Sequence, residues 1–89
     1  MHYVYLLRSI SHPDQIYVGL TDDLGRRLET HNAGRSPHTA KHRPWEVVAV
    51  VGLASREMAV RFESYLKSGS GRAFGARHFL SGAVPSPTP

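Results

Sequence analysis

YVYLLRSISHPDQIYVG, residues 3–19, sets two short runs of strand-forming residues on either side of a polar stretch containing Pro13. Tyr3-Val4-Tyr5 and Ile16-Tyr17-Val18-Gly19 each carry tyrosine and valine, and His12-Pro13-Asp14 between them reads as a turn. A first strand over His2 to Arg8, a short link and a second strand over Gln15 to Leu20 make an antiparallel hairpin. Side chains at matched positions of paired strands lie side by side on one face, so Tyr5 and Tyr17 can be neighbours. Cross-strand aromatic packing alone would account for them. Gly19 adds a second signal, because a glycine inside a strand marks close approach by other atoms.

The segment TDDLGRRLETHNAG, residues 21–34, reads as a helix. Asp22 or Asp23 can cap its first N–H groups, Leu24 and Leu28 share one face, and Gly34 is placed to end it in a left-handed conformation. Gly25 inside it costs about 1 kcal/mol against alanine, so the helix needs tertiary support. Residues 35–45, RSPHTAKHRPW, form a basic loop bounded by prolines. The apolar run WEVVAVVGL, residues 45–53, reads as a strand buried on both faces and therefore central in the sheet. Ser55 caps a second helix that stops near Lys67 or Ser68, with Glu57 in its first turn. Met58, Ala59, Phe62, Tyr65 and Leu66 fall on one face of it. SGSGRAFGARHF, residues 68–79, holds at most a short final turn, and GAVPSPTP at the end reads as a frayed tail. The expected architecture is α+β: a small three-stranded antiparallel-type sheet flanked by helices in the order β-β-α-β-α, with a domain over residues 1–80 and a flexible tail over 81–89.

The chain has 89 residues and 40% apolar content, which suits one modest core. No apolar run approaches the roughly 20 residues that span a bilayer, and MHYVYLLRS lacks the pattern of a signal peptide, so no membrane role is expected. Without cysteine there are no disulfides or thiolate metal sites, and the composition is compatible with a cytoplasmic location. The net charge is +4, unevenly spread: residues 1–34 hold three Arg/Lys against four Asp/Glu, and residues 35–89 hold eight against three. A basic half attracts polyanions, nucleic acid among them.

Three polar side chains stand out. Arg27 and His31 are four apart on the first helix and share a face. Glu63 lies at the border of the apolar stripe of the second long helix, beside Ala59 and Leu66. A carboxylate there is costly unless paired, hydrated or bound to metal.

With these residues in order, the chain resembles the GIY-YIG nuclease family over roughly residues 2–80. Tyr3-Val4-Tyr5 and Tyr17-Val18-Gly19 stand for its two name motifs, with eleven residues between Tyr5 and Tyr17. Arg27 follows in LGRRLETH and Glu63 in RFESYLKSGSGR. The resemblance looks closest to short, single-domain bacterial members. It implies hydrolysis of phosphodiester bonds in DNA with one Mg²⁺ or Mn²⁺. Tyr17 would activate the water, helped by a nearby cation, because an unperturbed phenol is only about 0.1% ionised at pH 7. Arg27 would bind the scissile phosphate, its guanidinium fork matching the oxygens. Glu63 would hold the metal, which often takes only one or two protein carboxylates. Tyr5 would hydrogen-bond the water or phosphate, with His31 beside Arg27. Arg35, His38, Lys41, His42 and Arg43 in the loop would grip the nucleic-acid backbone, and Lys67, Arg72 and Arg77 would extend that surface. Trp45 is either a stacking platform or a core residue. A role in DNA repair, structured or single-stranded substrates and a targeting partner protein follow from family analogy alone.

The sequence departs from the family pattern in three places. Leu20 stands where many members have lysine after the YxG glycine, the final asparagine is Asn32, and the first motif is YVY. Lys41 is a candidate substitute for the lysine. Two other readings stay open: a nucleic-acid-binding module with a degenerate site, and a zinc protein suggested by His38 and His42. The zinc spacing works only on a helix, which Pro37 and Pro44 oppose.

Overall fold

The hairpin forms as its turn chemistry implies, and its register sets which side chains meet across the strands. The computed structural model describes residues 1–80; the tail expected over 81–89 lies outside them. β1 (His2–Ser9) pairs antiparallel with β2 (Ile16–Thr21), placing Tyr5 opposite Gly19 and Leu7 opposite Tyr17. Tyr5 and Tyr17 are therefore diagonal neighbours on one face, not direct partners. β3 (Trp45–Leu53) pairs antiparallel with the other side of β1, giving the order β2-β1-β3. Val48 is bulged out of that pairing, since Leu6 meets Ala49 while Leu7 meets Val47.

β3 is thus an edge strand, which corrects its expected central place. The signature of burial on both faces sits in β1, where Val4, Tyr5, Leu6 and Leu7 are buried in succession. In β3, Val47 and Val50 are exposed at 36% and 39%. An unbroken apolar run is ambiguous on this point because valine also suits a half-solvated strand.

Helices cover both faces of the sheet. α1 (Leu24–Asn32) lays Leu24 and Leu28 against Tyr5, Leu7 and Trp45. Its start is capped by Asp23, whose Oδ1 accepts from the Arg26 N–H at 3.1 Å, and Gly34 beyond its end has φ +78°. α2 (Arg56–Lys67), capped by Ser55, packs Ala59 and Leu66 on Val4 and Leu6 of the opposite face. Met58 and Tyr65 are exposed, so the buried stripe is narrower than expected. Trp45 is a core residue, and its Nε1–H donates to the Thr39 carbonyl at 2.8 Å.

The final segment is a third helix, α3 (Gly69–His78), where only a short turn was expected. Its glycines are weak helix formers, so local propensity conceals it. Ser68 caps it, accepting from the Gly71 N–H at 3.2 Å, and Phe74 packs against Tyr65 and Phe79. Gly71 lies against the Tyr65 carbonyl, where any Cβ would collide. The element order is therefore β-β-α-β-α-α, a three-stranded antiparallel sheet between helices. No helix among the described residues is long and apolar enough to cross a membrane.

These contacts predict opposite outcomes for two glycines of α3. Gly71→Ala gains helix propensity but meets backbone, and should destabilise the fold by about 1–3 kcal/mol. Gly69→Ala enters open space and should be neutral or stabilising by up to about 1 kcal/mol. Urea denaturation of both variants checks this, and equal effects would contradict the packing.

Candidate active site

Opposite Tyr5, β2 has no side chain, and the phenol fills that gap. A Cβ on Gly19 would overlap the Tyr5 ring carbons and hydroxyl oxygen, so the ring lies across the strand. Its hydroxyl reaches the Nε2 of His31 on α1 at 2.9 Å. The Nδ1 of His31 meets the Thr39 hydroxyl at 2.7 Å, and Thr39 donates onward to the Ser36 carbonyl at 3.4 Å. Since Thr39 has one proton to give, this sequence makes Nδ1–H the donor to Thr39 and leaves Nε2 to accept from Tyr5. Tyr5, His31 and Thr39 are all fully buried.

Tyr17 closes the group from β2. Its ring centroid is 4.9 Å from that of His31 and 6.3 Å from that of Tyr5. Tyr17 is half-buried, so of the two phenols it is the one open to solvent. Arg27, one turn before His31, brings its guanidinium beside both phenols. Its Nε is buried without a partner among the described residues. Burial pushes the Tyr5 hydroxyl above the ordinary phenol range; the Arg27 guanidinium opposes this, and the charges of Tyr17 and Glu63 add to it. Phenol contacts raise the already high pKa of Arg27. His31 is held below the ordinary imidazole range, first by burial and then by the Arg27 cation.

Glu63 approaches from α2. Its side chain is 22% exposed and its Oε2 accepts from the Lys67 ammonium at 3.2 Å. The charge of Glu63 is felt at the Tyr5 hydroxyl, where it adds to the upward push on the phenol. The fold thus gathers Tyr5, Tyr17 and His31, with Arg27 beside the two phenols, while Glu63 on α2 pairs with Lys67 and acts on Tyr5 through its charge.

The expected nucleic-acid contacts separate into two sets. Arg35 and Lys41 are exposed on the loop. His42 there is half-buried, its ring edge-on to His12 at 4.9 Å. Arg43 donates to the Ala40 carbonyl at 2.7 Å and lies over Gly34. Lys67 and Arg72 instead line a cleft beside Tyr17, and none of the loop cations lines it. Leu20 packs into the Val4 and Leu6 core on the other face of the sheet.

Two partners were not anticipated. Thr39 anchors His31 from a loop that carries no periodic pattern, so nothing local marks it. The Glu63–Lys67 pair was readable, since glutamate four residues before lysine on a helix is a favourable spacing.

The donor set suits a hard divalent cation held loosely. Glu63 offers one partly exposed carboxylate, and no group of three His, Asp or Glu able to hold a metal occurs among the described residues. One carboxylate with waters and a substrate phosphate is a common arrangement for Mg²⁺.

The comparisons with known proteins identify the family. Residues 1–76 match the family model of the GIY-YIG catalytic domain. A structure-specific endonuclease subunit of Talaromyces stipitatus is 48% identical over 65 residues, covering 66% of this chain and 17% of the relative. Its counterpart in Candida dubliniensis is 39% identical over 87 residues, covering 90% of this chain and 29% of the relative. The chain therefore spans less than a third of these relatives' length. A solution structure of the UPF0213 protein BH0048 from Bacillus halodurans superposes with a TM-score of 0.52 at 31% identity, covering 97% of this chain and 87% of that one. The expected placement in a short bacterial branch is corrected by the curated relatives, which point to the fungal endonuclease-subunit branch. The motifs quoted from the sequence sit in the shared fold and do not discriminate between branches.

The depressed imidazole predicts an acid-side stability loss. The unfolded chain binds the His31 proton more tightly than the folded chain, so stability is complete above the ordinary pKa near 6.5 and falls as pH drops below it. The urea midpoint should fall between about pH 7.5 and 5.5, and fall less in His31→Gln. Identical losses in both proteins would contradict the assignment.

Proposed function

The chain belongs to the GIY-YIG catalytic domain family, and from that premise we propose that it is a divalent-metal-dependent endonuclease that hydrolyses phosphodiester bonds in DNA. The observation that carries the reading is the cluster of two phenols and an imidazole from β1, β2 and α1, with the Arg27 guanidinium beside both phenols and the Glu63 charge felt at Tyr5.

Hydrolysis needs a proton acceptor for the attacking water, a cation for the phosphoryl oxygens and relief for the leaving oxygen. Tyr17 is the acceptor, being the phenol with access to solvent, and Arg27 lies beside it. Arg27 also presents N–H groups to a phosphate oxygen. Tyr5 is fully buried and acts through Arg27, holding the guanidinium while His31 fixes the phenol. Glu63 would hold Mg²⁺ or Mn²⁺, which supplies charge stabilisation for the leaving 3′ oxygen. Lys67, paired with Glu63, would be free to meet phosphate with the carboxylate holding a metal instead. The exposed loop cations Arg35, Lys41 and Arg43, with His42, add backbone affinity without sequence information.

The relatives' names support cutting directed by DNA structure and a role as one subunit beside a partner protein. A place in DNA repair is consistent with that chemistry.

Incubation with paired and branched DNA tests the reading. Cleavage should require Mg²⁺ or Mn²⁺, stop with chelator, and fall at least about 10²-fold in Tyr17→Phe and Glu63→Ala. DNA shifted but never cut, with no dependence on either side chain, would identify a binding module instead.

A further inference from the structure

Along the outer edge of β2 a cleft of about 520 Å³ opens between that strand, α2 and α3. Ile16, Val18 and Leu66 give it an apolar floor, while Lys67 and Arg72 stand on one side and Asp14 and Gln15 on the other. Tyr17, between Ile16 and Val18 on β2, lines this cleft and turns its ring to Tyr5 and His31 on the other face of the strand, and Lys67 at the cleft is bonded to Glu63, so the cleft adjoins the phenol cluster across β2. Its size falls within the range of small-molecule pockets.

We propose that this cleft receives one unpaired nucleotide next to the scissile phosphodiester, making the chain selective for DNA with an unpaired base at that place. The inference rests on the nuclease reading for the position of the cut. Its occupant follows from the lining. An apolar floor of Ile16, Val18 and Leu66 suits the face of a base, and a base stacked within a duplex cannot present that face. Lys67 and Arg72 match the phosphates on either side of such a nucleotide. A cleft made only for backbone would not carry Asp14, whose carboxylate repels phosphate. Beside Gln15 it is placed instead to accept from an exocyclic amino group, as carboxylates do with cytosine. Extruding a base from a duplex is costly and least so when the base is already unpaired, so the cleft converts that cost into selectivity.

The test is binding in the presence of chelator, where no cutting occurs. Fluorescence anisotropy compares a paired duplex with the same duplex carrying one unpaired cytosine. The full chain should prefer the second by at least about fivefold, as expected for one stacked base. Arg72→Glu, at an exposed position, and Gly75→Leu, which fills the cleft from α3, should bring that ratio close to one. Circular dichroism confirms that each variant is folded. Equal affinity for both DNAs, or a ratio unchanged in both folded variants, overturns the proposal. Cutting is scored separately. A chain that cuts DNA but binds both forms equally keeps the nuclease reading and loses this one. A chain that cuts nothing yet prefers the unpaired cytosine does the reverse.

Discussion

The close passage of the Tyr5 ring over Gly19 is the contact on which the site is built. β1 is the central strand, and a tyrosine at its midpoint would ordinarily be a core residue and nothing more. Because its partner position on β2 has no side chain, the ring can extend across that strand. Its hydroxyl then meets α1 at His31. A buried phenol must be hydrogen-bonded, and a buried imidazole must be too. Each answers the other's need, and Thr39 completes the chain. The strand pair, the first helix and the loop after it are locked together through one polar line.

That line also explains the electrostatics. Arg27 brings a cation to a rim formed by two phenols, with its Nε already out of water. No carboxylate among the described residues forms an ion pair with this guanidinium, although Asp22 and Asp23 line a cleft with Arg27. The arrangement favours an incoming anion such as phosphate over a neutral ligand. Keeping His31 neutral serves the same end, because a second cation in the buried cluster would compete with Arg27 for the phenols.

Much of this was legible in the residues, though unevenly. The hairpin, both helix caps and the four-residue spacing of Arg27 and His31 are local patterns, and local patterns survive into the fold. The strand order was misjudged because an apolar run such as Trp45 to Leu53 reports composition rather than position. Glu46, Val47 and Val50 turned out to face solvent. α3 was hidden by Gly69, Gly71 and Gly75, whose weak propensity is offset by packing on α2. Gly71 is required there because a larger residue would strike the Tyr65 carbonyl. Thr39 had no signal, since its bond to His31 is made by the loop's path. The nucleic-acid surface was read as one basic patch, whereas the fold separates the loop cations from the cleft lined by Lys67 and Arg72.

The most direct measurement is a double-mutant cycle between positions 5 and 19, read by urea denaturation. If the Tyr5 ring occupies the space at Gly19, Gly19→Ala should cost about 1–3 kcal/mol in the native background and close to nothing when Tyr5 has been replaced by alanine. Cleavage should fall with Gly19→Ala as the phenol leaves His31. Additive energies, or a Gly19→Ala protein with native stability and native cleavage, would show that the site does not depend on this contact.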